Sequence, residues 1–159
     1  MSEYWRSPAR NARLNADVYR QPGRPVFVTI RAAMSDAPFR DARLNEEIVA
    51  ALCVQRDRSD CDVYAYCLMP DHLHLVAAPR TARGDVCACV DRFKSASTRV
   101  AWRGGRSGRL WQPRYHDHVV RLEESLAAIC EYVLLNPVRA GLVRRFEDYP
   151  WGGWLDPLP

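Results

Sequence analysis

The stretch from Asp62 to Ala78 constrains the fold more than any other part of this chain. Asp62-Val-Tyr-Ala-Tyr-Cys-Leu-Met69 is rich in β-branched and aromatic residues and reads as a strand. Pro70-Asp71 makes a tight turn, and His72-Leu-His-Leu-Val-Ala-Ala78 reads as the returning strand, so the segment is a hairpin. A hairpin this apolar cannot stand alone in water. It has to sit inside a larger sheet with layers packed on its faces.

The flanking sequence supplies those layers. Val26-Phe-Val-Thr-Ile-Arg31 is a strand by composition, and Leu44 to Arg56 places Ile48, Ala51 and Leu52 at helical spacing. Pro79 to Ala82 break the chain. From Gly84 to Arg103, Val86, Val90, Phe93 and Val100 form one helical stripe, and Arg92, Arg99 and Arg103 form another. Residues 104–114 are a glycine-rich loop, and Tyr115 to Arg121 alternates as a fourth strand. Leu122 to Leu135 reads as a last helix with Leu122, Leu126, Ile129 and Val133 inward, and with Glu123 and Glu124 at its favourable end. The order predicts an α+β domain: a ferredoxin-like βαββαβ antiparallel sheet plus a C-terminal helix.

At 159 residues the chain matches one domain. It divides into a basic N-terminal arm (1–25, with Arg6, Arg10, Arg13, Arg20 and Arg24), a core (26–142) and a C-terminal tail (143–159). No apolar run is long enough to span a membrane, and the first residues lack an export signal core. The six cysteines (53, 61, 67, 87, 89 and 130) are then expected to be reduced packing residues in a cytosol. The net charge is +4, and Lys94 is the only lysine; the guanidinium fork that replaces it elsewhere suits phosphate.

All four histidines fall in H-x-H pairs, His72 with His74 and His116 with His118. Residues two apart on a strand share a face, so His72 and His74 could hold one divalent ion. The same spacing also suits two histidines on a half-solvated strand face with no ligand. On the last helix, Tyr132 lies four residues before Asn136, on the same face. If that helix packs against the face bearing His72 and His74, a tyrosine and an amide oxygen join the site. Asn136-Pro137 reads equally as a helix end, and Tyr132 as a boundary aromatic. Tyr115, beside His116, is a rival nucleophile. A metal that clamps a phosphate orients it for in-line attack, and a tyrosine attacker leaves a phosphotyrosine ester that a second alcohol can reopen without ATP.

Met69-Pro-Asp-His-Leu-His-Leu75 resembles the Met-Pro-Asn-His-Val-His-Leu signature of the REP-associated tyrosine transposases. Glu131-Tyr-Val-Leu-Leu-Asn-Pro-Val-Arg-Ala-Gly-Leu142 resembles their Tyr-Ile-x-x-Asn-Pro-Val segment, and Leu110-Trp-Gln and Tyr149-Pro-Trp match two further landmarks. The resemblance runs from about Val26 to Trp154. It implies a single-tyrosine HUH transposase, with Tyr132 as nucleophile and His72, His74 and Asn136 as ligands of Mg²⁺ or Mn²⁺. It further implies that single-stranded hairpin DNA of repeated extragenic palindromes is cut and rejoined at the bacterial nucleoid, in the cytoplasm, by a monomer or homodimer. Asp71 departs from the commoner asparagine.

Arg92, Arg99, Arg103, Arg106 and Arg109, with Trp111, are the expected DNA contacts: guanidinium groups for backbone phosphate and an indole for unpaired bases. Two other readings stay open, a retired transposase that grips hairpin DNA without cutting it, and a ferredoxin-like RNA binder.

Overall fold

A computed structural model describes residues 15–159. Arg6, Arg10 and Arg13 of the expected arm lie outside the described residues.

Five strands form one antiparallel sheet in the order β4-β1-β3-β2-β5: β1 (Val26–Arg31), β2 (Cys61–Met69), β3 (His72–Pro79), β4 (His116–Val119) and β5 (Gly152–Trp154). The first four strands keep the order a ferredoxin-like βαββαβ domain requires. β2 and β3 form the expected hairpin around Pro70 and Asp71. The residues assigned to a C-terminal tail add the fifth strand. Gly152 and Gly153 lie against Cys67 and Tyr66 of β2, and a Cβ on Gly152 would stand only 3.3 Å from the Cys67 sulfur and the Tyr66 carbonyl. Tyr149 donates its hydroxyl to the Leu68 carbonyl at 2.7 Å, and the Asp156 carboxylate accepts from the Val63 amide at 2.7 Å.

Two layers cover the sheet. α1 (Ala42–Arg58) and α2 (Val86–Arg103) bury Ile48, Leu52, Val90 and Phe93 against Val28, Ile30, Leu73 and Leu75. α3 (Leu126–Leu134) buries Ile129, Cys130 and Val133 on the other face, against Phe27, Ala65, Cys67 and Val76. A register shift between Val63 and Ala65 lets β2 serve both layers: Val63 faces α1 and α2, while Tyr64 and Ala65 both join the α3 layer. A sheet covered on both faces offers no open aromatic platform of the kind a ferredoxin-like RNA binder uses.

Each of these three helices starts on a side-chain cap. The Asp41, Asp85 and Ser125 oxygens accept from the amides of the first turn of α1, α2 and α3. The Ser125 cap corrects the expected start of the last helix. Leu122 is 94% exposed, and Glu124 turns back to accept from the Arg121 amide at 2.7 Å instead of occupying a first turn. The six cysteines are free thiols, four of them buried.

Candidate active site

The α3 face of the sheet collects the polar groups. Leu73 and Leu75 point into the α1/α2 core, so period-two alternation turns His72 and His74 towards α3. Their Nε2 atoms stand 3.0 Å apart. The outer nitrogen of each ring is held as well: His72 Nδ1 lies 2.6 Å from an Asp71 carboxylate oxygen, and His74 Nδ1 lies 2.8 Å from the Thr29 hydroxyl. An Asp71 carboxylate only accepts, so His72 places a proton on Nδ1, and in the neutral ring this leaves an Nε2 lone pair facing His74. His74 Nε2–H then donates to His72, while the Thr29 hydroxyl donates to His74. The chain of bonds is closed and runs in one direction.

That arrangement suits a divalent cation. Two nitrogens bound at right angles to an ion at about 2.1 Å are about 3.0 Å apart. Only one proton, on His74 Nε2, separates the closed chain from two facing lone pairs. Thr29 permits the change, because a hydroxyl can donate to Nδ1 or accept from it. Burial, then His72, Arg139 and Arg31, holds the His74 imidazole down to about 3, so it is neutral at physiological pH, as a ligand must be. Among the described residues no group of three His, Cys, Asp or Glu side chains could hold a metal.

Asn136 opens the short helix α4 (Asn136–Arg139). Its amide nitrogen donates to the Tyr132 and Val133 carbonyls, both at 3.1 Å, which closes the end of α3 and leaves the amide oxygen as the end available to a ligand. No hydrogen bond joins Asn136 to either imidazole among the described residues. The helix and the strand are bridged by Phe27. Its ring stacks on His74 at 5.5 Å between centroids and meets the Tyr132 ring edge-on at 6.2 Å. Tyr132 is half-buried, and Tyr115, the rival, packs against the α1/α2 core beneath Lys94, on the opposite face from His72 and His74.

Arg139 received no role from the sequence. Its guanidinium lies 3.9 Å from the centroid of the Tyr132 ring and donates to the Tyr132 carbonyl at 2.6 Å. It therefore grips the tyrosine at two points and brings a positive charge near His74. The signal was available, since Arg139 falls in the Asn-Pro-Val-Arg segment one helical turn beyond Asn136. Arg31, opposite His72 across β1 and β3, adds a second cation on this face.

The expected DNA contacts divide. Arg103 and Arg106 line a groove with Arg43 where α1 begins and α2 ends, and Arg106 also pairs with Asp36 at 3.1 Å. Arg99 and Arg109 line a second groove beside Trp102. Arg92 is elsewhere: it donates to the Arg58 carbonyl and the Ser59 hydroxyl at the far end of α1. Trp111 does not present a stacking face. It is 3% exposed, packs between Phe39 and Phe93, and donates to Ser97 at 2.8 Å, because the loop folds back to pair with Ala32. The exposed indole at that end is Trp102.

Comparison with known proteins agrees with this geometry. Residues 28–136, more than half of the chain, match the family described as IS200-like transposases. A REP-associated tyrosine transposase of Escherichia coli K12 is 26% identical over 102 residues, covering 64% of this chain and 59% of that protein. The chain thus spans about three-fifths of the length of that relative. A solved structure of a REP-associated tyrosine transposase bound to a REP hairpin superposes with a TM-score of 0.73 at 18% identity, covering 92% of this chain and 81% of the other, a likeness of fold. With the paired imidazoles on one sheet face, and α3, which bears Tyr132, packed over that face, this chain belongs to the IS200-like transposases and is similar within them to the REP-associated tyrosine transposases.

Proposed function

We propose that this protein is a single-tyrosine HUH transposase that cuts and rejoins single-stranded hairpin DNA of the REP type. The observation that carries this reading is the facing of the two Nε2 atoms at 3.0 Å on the sheet face that the Tyr132 helix covers. His72, His74 and the Asn136 oxygen would hold Mg²⁺ or Mn²⁺. The bound ion supplies Lewis-acid polarisation of a phosphate oxygen at the cut site.

The chain's own residues do the rest. Arg139 holds the Tyr132 ring in place, and Phe27 fixes the distance between that ring and His74. The phenolic oxygen attacks phosphorus in line. A P–O bond forms to tyrosine, and the P–O bond to the 3′ oxygen breaks. The phenolic proton passes to solvent, and the departing oxygen takes up a proton and leaves as a free 3′ hydroxyl. A second 3′ hydroxyl reverses the step, so strands are exchanged with no energy donor. The structural neighbour was solved bound to a REP hairpin, which supports the substrate class. No helix among the described residues is long and apolar enough to cross a membrane, and a chain with this activity would work at the bacterial nucleoid.

The test is a labelled hairpin incubated with Mg²⁺ or Mn²⁺. Wild type should yield a covalent adduct that survives denaturation, with the 5′ phosphate on the protein. Tyr132→Phe should bind the hairpin and form no adduct; Tyr115→Phe should form it. An adduct lost in Tyr115→Phe and kept in Tyr132→Phe would overturn the assignment. No adduct from wild type on a hairpin it binds would make the protein a hairpin binder only.

A further inference from the structure

The last turn of α2 and the loop after it enclose a groove of about 380 Å³ that neither the histidine pair nor Tyr132 uses. Lys94, Thr98, Arg99, Trp102 and Arg109 line it, and among the described residues no acidic one does. Trp102 is 52% exposed, which is unusual for the largest apolar side chain. The ring is nonetheless fixed. Its Nε1–H donates to the Gly108 carbonyl at 2.7 Å, and Gly108 adopts a φ of 76° that a residue with a side chain would resist. The loop is tied to the helix end twice more, by Gly105 N–H to the Trp102 carbonyl and Arg106 N–H to the Ala101 carbonyl, each at 3.0 Å. The indole is therefore a preset flat surface, its polar atom satisfied and its face open. Arg99 lies one turn before it, and Arg109 directly follows the glycine that holds it.

A fixed π-face with a cationic, carboxylate-free rim is the chemistry that receives an unpaired base between two phosphates. The groove at the opposite end of α2 makes the contrast. There Arg20, Arg58, Arg83 and Arg92 face Asp57, Asp60 and Asp85, so one positive charge is left over, and no aromatic ring lines the groove among the described residues.

Position favours the same occupant. The loop runs directly into the site end of the sheet: Ala33 N–H donates to the Leu110 carbonyl, and Gln112 N–H donates to the carbonyl of Arg31, the residue paired with His72.

We infer that Trp102, with Arg99 and Arg109 on its rim, is a stacking subsite for an unpaired nucleotide of the DNA substrate. This rests on the hairpin-transposase reading and adds to it a contact outside the catalytic face. The test compares two labelled DNAs with the same stem at fixed salt, one blunt and one with a single-stranded extension. Trp102→Ala should weaken binding of the extended hairpin roughly tenfold and change the blunt hairpin by less than about twofold. Trp102→Phe keeps a ring and loses the bond to Gly108, so it should stay near wild type on both. Equal binding of the extended hairpin by all three proteins would remove the subsite alone. Equal losses on both DNAs, or a loss in Trp102→Phe matching that in Trp102→Ala, would make the indole a strut for the loop and overturn the proposal. A Trp102→Ala variant that differs from wild type only in sedimentation would make the ring a contact between copies, and also overturn it. Failure of wild type to bind either DNA would remove the hairpin reading and the subsite together.

Discussion

The two H-x-H pairs lie on the same face of the same sheet and share no chemistry. Thr29 of β1 stands between them in register, opposite His116 of β4 on one side and His74 of β3 on the other. On the central strand β3, both rings are partly covered, their outer nitrogens are occupied by Asp71 and Thr29, and their inner nitrogens face each other. On the edge strand β4, His116 is exposed, and His118 turns its Nε2 to both oxygens of Glu124 at 3.0 Å. Identical spacing thus yields two facing imidazoles in one place and a structural pin in the other. The difference lies in what holds the far side of each ring.

The contrast can be broken most forcefully at the imidazoles. His72→Ala or His74→Ala should abolish the metal-dependent adduct while hairpin binding persists, and His116→Ala or His118→Ala should retain the adduct within a few-fold. Loss of the adduct on removing either edge-strand ring, with the protein folded by circular dichroism, would erase the distinction.

The supporting partners come next. Thr29→Val deprives His74 of a group that can both donate and accept, and Asp71→Ala frees the His72 ring. Each should weaken metal binding by about 10–100-fold, measured by calorimetry, with the melting temperature little changed. Asp71→Asn keeps an oxygen that accepts from Nδ1–H, so it should cost less than Asp71→Ala. That ordering would show that the acidic departure from the usual asparagine preserves the site.

The smallest effect belongs to the edge pair. Partial burial pushes the Glu124 carboxyl up, but the Arg121 amide and His118 outweigh it and hold the group below its usual value. A carboxylate with a depressed pKa adds stability that is present above its unfolded value and lost as pH falls through the folded one. Glu124→Gln should therefore lower stability near pH 6 by less than about 1 kcal/mol, as for other exposed ion pairs. The gap from wild type should close as pH drops below about 4.

Much of this arrangement is local and so was legible in the sequence. The β2–β3 hairpin, the apolar stripes of α1 and α2, and the shared face of His72 and His74 follow from periodicity. That α3 covers this face could only be stated as a condition, and no pattern in the sequence placed Tyr115 on the other. The misreadings have tertiary causes. Leu122 fits a helical stripe, yet Glu124 is claimed by His118 on the neighbouring strand, so α3 begins after it. β5 is three residues with two glycines, too short and too poor in side chains to show a period. Trp111 is expected at the DNA because residues 104–114 read as an open loop, whereas pairing with Ala32 draws that indole into the core, and Trp102, which the sequence left without a role, is the exposed one. Arg92 shares a helical stripe with Arg99 and Arg103, but its partner is the end of α1, which no pattern within α2 reveals.

The central claim is that one ion sits between the imidazoles of β3. Nitrogen-15 spectra of the four histidine side chains, recorded during a Mg²⁺ titration, test it most directly. The account predicts that the His72 and His74 Nε2 signals move together and saturate. The His74 proton should pass from Nε2 to Nδ1, while His118 stays unchanged. Signals of His72 and His74 that do not respond at Mg²⁺ concentrations supporting adduct formation, or a response confined to His116 and His118, would contradict it.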